Sequence, residues 1–373
     1  MNKLLVSMSL CILLAFSTTG EIGGLNIFYI TMPLFIAAQF IVFYNEFDVS
    51  LLVSSLFLSS LFIFLGIINQ SYWEYQVWVL KMFFLALAIG IFYSIVVRGK
   101  FRSLSQIRAP LLLLTILLAL FLTGGYVHYT IYGRSAFIFG PNVLYRLYGF
   151  LFFLASFLTY RLVSNRTYIR LFFLILSVFG VFITGSRGGV PVIVLMILCF
   201  YIDLPIFKKK LTNIIFLVSL IFPIILYFVL KLESLNLRIF AFDDIDGASL
   251  GSRFLAFHDA LSNFTKYFFS LGMSSQDYFN ILNYGYPHNI SVELLVYYGG
   301  IGSFFAISLL ASIFIFSRRA LVDENFRFLY FCFLCFLVSS SFSGDMIHNF
   351  PTISFFLCML VYYFKSDSKK LKY

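Results

Sequence analysis

The chain has 373 residues, of which 61% are hydrophobic and 11% charged, with a mean hydropathy of +0.97. Soluble globular domains are about 25% charged, so this composition excludes a soluble globule and requires an integral membrane protein. The net charge of +10 does not mark a nucleic-acid binder, because most Lys and Arg lie in short connections between apolar runs and in the C-terminal stretch, where the positive-inside rule expects them.

The first apolar run, Leu4 to Thr19 behind Lys3, resembles a signal peptide. No small-residue cleavage site follows, however, and a second apolar run begins near Leu25, so a first membrane span is expected. Further runs centre on residues 25–44, 49–69, 75–97, 109–123, 143–163, 168–184, 190–206, 213–231, 289–316, 326–342 and 351–364. Their lengths approach the ~20 residues that cross a bilayer as helix. The expected fold is therefore an all-α polytopic membrane protein of about twelve transmembrane helices. Residues 1–373 would form one membrane domain, with a large extracytoplasmic loop at 232–288 carrying short amphipathic helices.

Orientation follows from the cations. Arg98, Lys100, Arg102 and Arg108 share one connection, and Arg161, Arg166 and Arg170 share another. Lys208 to Lys210, then Arg318, Arg319 and Arg327, then Lys365, Lys369, Lys370 and Lys372 complete the set. With twelve spans all fall on one side, which makes that side and both termini cytoplasmic and turns 124–142, 185–189, 232–288 and 343–350 outward. The acidic turn at 45–49 is the cytoplasmic connection that breaks this rule. Tyr72, Trp73, Tyr75 and Trp78 fit an interfacial aromatic belt.

All five cysteines lie in apolar runs. Cys332 and Cys335 have C-x-x-C spacing but sit among Phe and Leu, which reads as packing. The four histidines show no paired metal-ligand spacing, so no metal and no cofactor are expected.

A smaller set of cations falls on or near the outward side: Lys81, Arg134, Arg146, Arg187, Arg238, Arg253 and Lys266. A cation inside a span is costly, so it either snorkels or meets an anion or a water-filled cavity; Lys81 and Arg146 are open to both readings. Arg187 occupies Thr184-Gly185-Ser186-Arg187-Gly188-Gly189, a very short turn. Its glycines let a ligand approach the backbone, and exposed amides beside a guanidinium form an anion nest.

In the large loop Phe254, Phe257, Leu261, Phe264 and Phe268 recur at helical spacing, with Ser252 as N-cap. Arg253 would open this helix, where the helix N-terminus reinforces its preference for phosphate or carboxylate. A salt bridge from Arg253 to Asp243, Asp244 or Asp246 is the structural alternative. The loop ends in Tyr284-Gly285-Tyr286-Pro287-His288-Asn289. An imidazole there can take a proton from a sugar hydroxyl, and the tyrosines offer flat faces to sugar rings. His348, beside Asn349 and Asp345, is the rival base; His128 and His258 are weaker candidates.

In this order, Gly133-Arg134, Gly140-Pro141-Asn142, the Thr-Gly-Ser-Arg-Gly-Gly turn, Ser252-Arg253, Pro287-His288-Asn289 and Gly299-Gly300-Ile301-Gly302 resemble the O-antigen polymerase and ligase superfamily of bacterial envelope glycosyltransferases. The resemblance runs from Tyr132 to Phe316. It implies metal-independent, inverting glycosyl transfer on the outer face of the inner membrane, from an undecaprenyl-diphosphate-linked oligosaccharide donor.

Carried over, Arg187 and Arg253 would hold the diphosphate and His288 would activate the acceptor. Arg134, Asn142, Arg146, Lys81, Tyr284, Tyr286, Asn289 and His348 would contact substrate. The implied partners are the lipid-linked donor and acceptor, the bilayer, a chain-length regulator and a flippase. The polymerase is the favoured expectation, because the compact loop suits a donor and acceptor of one kind. Transfer to lipid A core by a ligase is the alternative, and a polysaccharide flippase or exporter is the alternative of another class. A transporter would gather its charges near the midplane between two similar halves, and Glu293 is the charge best suited to such a cavity.

Overall fold

The computed structural model describes residues 3–17, 21–22, 25–68, 73–99, 104–133, 135, 137, 140–160, 167–186, 188–202, 258, 261–269, 289–341 and 349–370. Among these residues the helices are, in chain order, α1 (Lys3–Phe16), α2 (Ile27–Ala38), α3 (Val49–Ile68), α4 (Trp73–Arg98), α5 (Leu104–Tyr132), α6 (Pro141–Tyr160), α7 (Thr167–Ile183), α8 (Gly189–Ile202), α9 (Phe264–Phe268), α10 (Ile290–Val322), α11 (Glu324–Ser340) and α12 (Phe350–Lys370). A π-helical turn, Gln39–Phe43, continues α2. The one strand pair among the described residues is a two-residue antiparallel one, β1 (Glu21–Ile22) with β2 (Leu25–Asn26), in which Glu21 faces Asn26.

Every expected apolar run coincides with one of these helices, except 213–231, which lies outside the described residues. Five helices are long and apolar enough to cross a membrane: Val49–Ile68, Gln76–Arg98, Leu104–Tyr132, Pro141–Tyr160 and Ile290–Val322. The apolar helices Lys3–Phe16, Ile27–Phe43, Thr167–Ile183, Gly189–Ile202 and Phe350–Lys365 are shorter. This is the architecture of a polytopic membrane protein, without the number of spans being fixed at twelve. By internal contacts the chain divides into two compact units, one of Met1–Lys100 with Asp246–Tyr373 and one of Phe101–Ile245.

In the first unit α4 is the central helix. Trp78, Met82, Leu85, Ala86, Ile89, Phe92 and Val96 are all buried, as expected of a helix that is apolar on every side. α12 runs along it through three bonds at one constant separation of 272 residues. Ser354 donates its hydroxyl to the Met82 carbonyl (2.9 Å), Cys358 its thiol to Ala86 (3.2 Å), and Tyr362 its hydroxyl to Gly90 (3.0 Å). A bond every fourth residue on both helices requires them to run parallel. Gly90 is small because Leu51 of α3 fills the space a side chain would need.

The acidic turn that departs from the charge rule is explained by its neighbours. Glu46 pairs with Lys3 (3.8 Å) and Arg98 (3.4 Å), and Asp48 pairs with Lys365. The basic ends of three helices thus neutralise it. Asp48 also accepts from the backbone N–H groups of Ser50 (3.0 Å) and Leu51 (3.2 Å), capping α3. Losing such a cap costs ~1 kcal/mol, and an exposed ion pair adds a few tenths. Asp48→Ala is therefore expected to lower stability by about 1–2 kcal/mol in thermal unfolding in detergent. Asp48→Asn keeps the cap acceptor and should lose less than half of that.

In the second unit α6 is the buried helix, with residues Leu144 to Thr159 all enclosed. Its tyrosines set the spacing of the neighbours. Tyr148 donates its hydroxyl to the Phe121 carbonyl of α5 (2.9 Å), and its ring covers Gly180 of α7, where a Cβ would stand 2.6 Å from the ring edge.

The expected outward loop at 124–142 is corrected here. α5 continues to Tyr132, and Gly124-Gly125 are close-packing positions inside it. The Phe137 ring occupies the side-chain space of Gly124. A Cβ on Gly125 would stand 3.0 Å from Ser135 Oγ and 3.2 Å from Tyr148 Oη.

Candidate functional site

Three of the motifs singled out in the sequence come together in the second unit. α5 ends at Gly133, which adopts φ 66°, and the chain returns so that the Ser135 N–H donates to the Ile183 carbonyl at the end of α7 (3.0 Å). Gly140, at φ 76°, precedes α6, and Pro141 takes the first helical position, where its missing N–H costs nothing. Asn142 follows, and its Oδ1 accepts the hydroxyl of Ser186 at 2.9 Å. Ser186 stands directly before Arg187 in the chain.

The rest of that turn is equally tied. The Thr184 hydroxyl donates to the Val181 carbonyl (2.7 Å), and its Oγ1 accepts from the Ser186 N–H (3.3 Å). Gly185 is at φ 60°, and the Gly189 N–H closes back on the Ser186 carbonyl (2.9 Å). A Cβ on Gly188 would lie 2.6 Å from Tyr145 Oη, so the second half of the turn is pressed against α6. The partnership of Asn142 with Ser186 links positions 44 residues apart, and no local pattern signals it. Nor does any local pattern signal Tyr145 as the wall of the turn.

Arg146 lies one turn beyond Asn142 on α6, 2% exposed, with its guanidinium carbon 6.0 Å from the Tyr145 ring centre. It is enclosed and does not snorkel to the surface. In the first unit Lys81 is 4% exposed, with its ammonium 5.0 Å from the centre of the Phe28 ring. Among the described residues no carboxylate lies within ion-pair distance of it. A ring face stabilises a buried ammonium through the negative charge of its π system.

Asn289 has a structural role. Its Oδ1 accepts from the Ser291 (2.9 Å) and Val292 (3.3 Å) N–H groups as the N-cap of α10, and its Nδ2 donates to the Ser341 carbonyl (3.5 Å). This fixes the residue next to His288 against the end of α11. Glu293, one turn further, is completely buried.

His258 is exposed, and Ser262 bonds its carbonyl and approaches its Nδ1 at 3.4 Å. The His128 ring lies tilted by 41° against that of Tyr132, with ring centres 4.5 Å apart. Arg134, Arg187, Arg253, Tyr284, Tyr286, His288 and His348 lie outside the described residues.

No curated protein and no solved structure matches the chain. Over residues 172–307 the chain matches the family model Wzy_C, described as O-antigen ligase, the superfamily that its motifs resemble.

Proposed function

We propose that the protein is a glycosyltransferase that polymerises undecaprenyl-diphosphate-linked oligosaccharide repeat units into O-antigen or capsular polysaccharide. The observation that carries this reading is the family match over residues 172–307, which contains Arg187, Arg253 and His288. The reading sets about twelve spans in the bacterial inner membrane, both termini in the cytoplasm and the site facing outward.

In the proposed reaction the acceptor sugar hydroxyl attacks the anomeric carbon of the donor from the face opposite the lipid diphosphate. His288 takes the hydroxyl proton as the new C–O bond forms, and the bond to the diphosphate oxygen breaks. Arg187 and Arg253 bind the departing diphosphate, where negative charge grows in the transition state. The scheme calls on no metal ion.

Lys81, buried without a carboxylate partner among the described residues, and Arg146 would extend the anion-binding surface, as would Arg134. Tyr284 and Tyr286 would stack on sugar rings. Asn142 and Asn289 would contact substrate beside the turn and the helix start that they hold, and His348 is the alternative base. A chain-length regulator and a flippase are the proposed protein partners.

The matched family's description, O-antigen ligase, supports a second reading in which the acceptor is lipid A core. The two differ in acceptor and share the chemistry. Glycan profiling of a deletion strain separates them. Surface core carrying a single repeat unit identifies a polymerase, and long lipid-linked chains that never reach the core identify a ligase. Repeat units stranded on the cytoplasmic face would overturn both in favour of a flippase.

A further inference from the structure

The two parts of α10 have different surroundings. From Ile290 to Gly299 every residue but Ser291 is buried. Beyond that point Ile301, Phe304, Ile307, Leu310 and Phe314 form an exposed apolar stripe, with Phe304 74% exposed. Between the two parts stands Gly299, at φ 56° and ψ −133°, a backbone state essentially restricted to glycine.

Length locates this break. From Gly300 to Arg318 the helix rises about 27 Å at ~1.5 Å per residue, against a hydrocarbon thickness of ~30 Å. Arg318 and Arg319 mark one edge of the apolar segment, so the break falls at the other.

α9 meets α10 at this level. The Phe268 carbonyl oxygen lies 2.9 Å from where a Cβ of Gly300 would be, a contact only glycine permits. Leu261, Phe268 and Phe269 are exposed, Phe269 by 84%, and so is Lys266. Phe268 thus meets α10 where its exposed stripe begins. A short helix with exposed phenylalanines and a lysine, seated where a lipid-facing stripe begins, has the chemistry of a helix lying in the bilayer interface.

We infer that residues 261–269 lie in the plane of the membrane at the interface remote from Arg318 and Arg319, with Leu261, Phe268 and Phe269 covered by lipid. The Gly299 break marks the upper end of the part of α10 that faces lipid.

The test is spin labelling of the full chain in vesicles of phosphatidylethanolamine and phosphatidylglycerol, using Leu261→Cys, Phe269→Cys and Phe304→Cys one at a time. All three positions are exposed, so the fold tolerates them, and the native cysteines are buried, so the unsubstituted chain supplies the background. Collision rates with oxygen and with a water-soluble nickel chelate report depth. Labels at 261 and 269 are expected within about 10 Å of the phosphate level. The label at 304 is expected deeper than Gly300 by about 6 Å. Labels at 261 and 269 that collide mainly with the nickel chelate would place the helix in water and overturn the inference. A label at 269 as deep as that at 304 would also overturn it, by making the segment re-entrant.

Discussion

Alanine at Arg187 or Arg253 is expected to reduce glycan extension by about 100- to 1000-fold each, while the protein inserts and purifies as the unsubstituted chain does. The reason is that diphosphate departure is the electrostatically demanding part of the step. A guanidinium binds two phosphate oxygens at once in a low-dielectric setting, and its loss leaves the developing charge to water. Lysine at either position keeps the charge but not the paired geometry, so partial recovery is expected. His288→Ala removes the proposed proton acceptor and should cost about 100- to 10,000-fold.

The measurement is extension of purified lipid-linked repeat units by reconstituted protein, with gel filtration to confirm folding. Unchanged ladders from the His288 variant would transfer the base role to His348. A requirement for added divalent metal would sink the cationic scheme altogether.

Alanine at Gly302 is expected to destabilise the fold by about 3 kcal/mol or more, since it combines overpacking with forced backbone movement. The turn at Gly299 brings Gly302 onto the backbone of Leu294, so a Cβ there would coincide with the Leu294 carbonyl and stand 2.9 Å from Tyr298 Cβ. Neither neighbour is the free end of a side chain, and both are buried. Ser303 reinforces the arrangement by donating its hydroxyl to the Gly299 carbonyl (2.9 Å). Gly299→Ala meets a different obstacle, its positive φ, and should cost about 1–3 kcal/mol. Both are read from thermal unfolding in detergent. A Gly302→Ala protein that melts with the unsubstituted chain would mean that α10 is unbroken.

The helices were legible because a bilayer-length apolar run has few alternatives to helix. What escaped was whatever depends on partners far along the chain. Gly124-Gly125 has the composition of a turn, and only the rings of Phe137 and Tyr148 reveal it as a packing site. The acidic turn looked anomalous in its own connection, because Lys3, Arg98 and Lys365, which neutralise it, belong to three other elements.

Glycines 299, 300 and 302 were visible as a motif, but the run from 289 read as unbroken, since one positive φ leaves no mark on an apolar pattern. Asn289, expected as a substrate contact, also caps α10, as an asparagine just before an apolar run commonly does. At the site, the motifs were legible one by one. The meeting of Asn142 with Ser186 was not, because a hydrogen bond between side chains 44 residues apart leaves no mark on local pattern.

The three bonds that join α12 to α4 bear on how this protein is made. A ribosome delivers α4 to the membrane some 272 residues before the side chains of Ser354, Cys358 and Tyr362 exist. During that interval one flank of the central helix must be shielded by lipid or by the insertion machinery. The first unit closes only when the last helix slides in beside it, so a nascent chain interrupted before residue 350 would present α4 to membrane proteases.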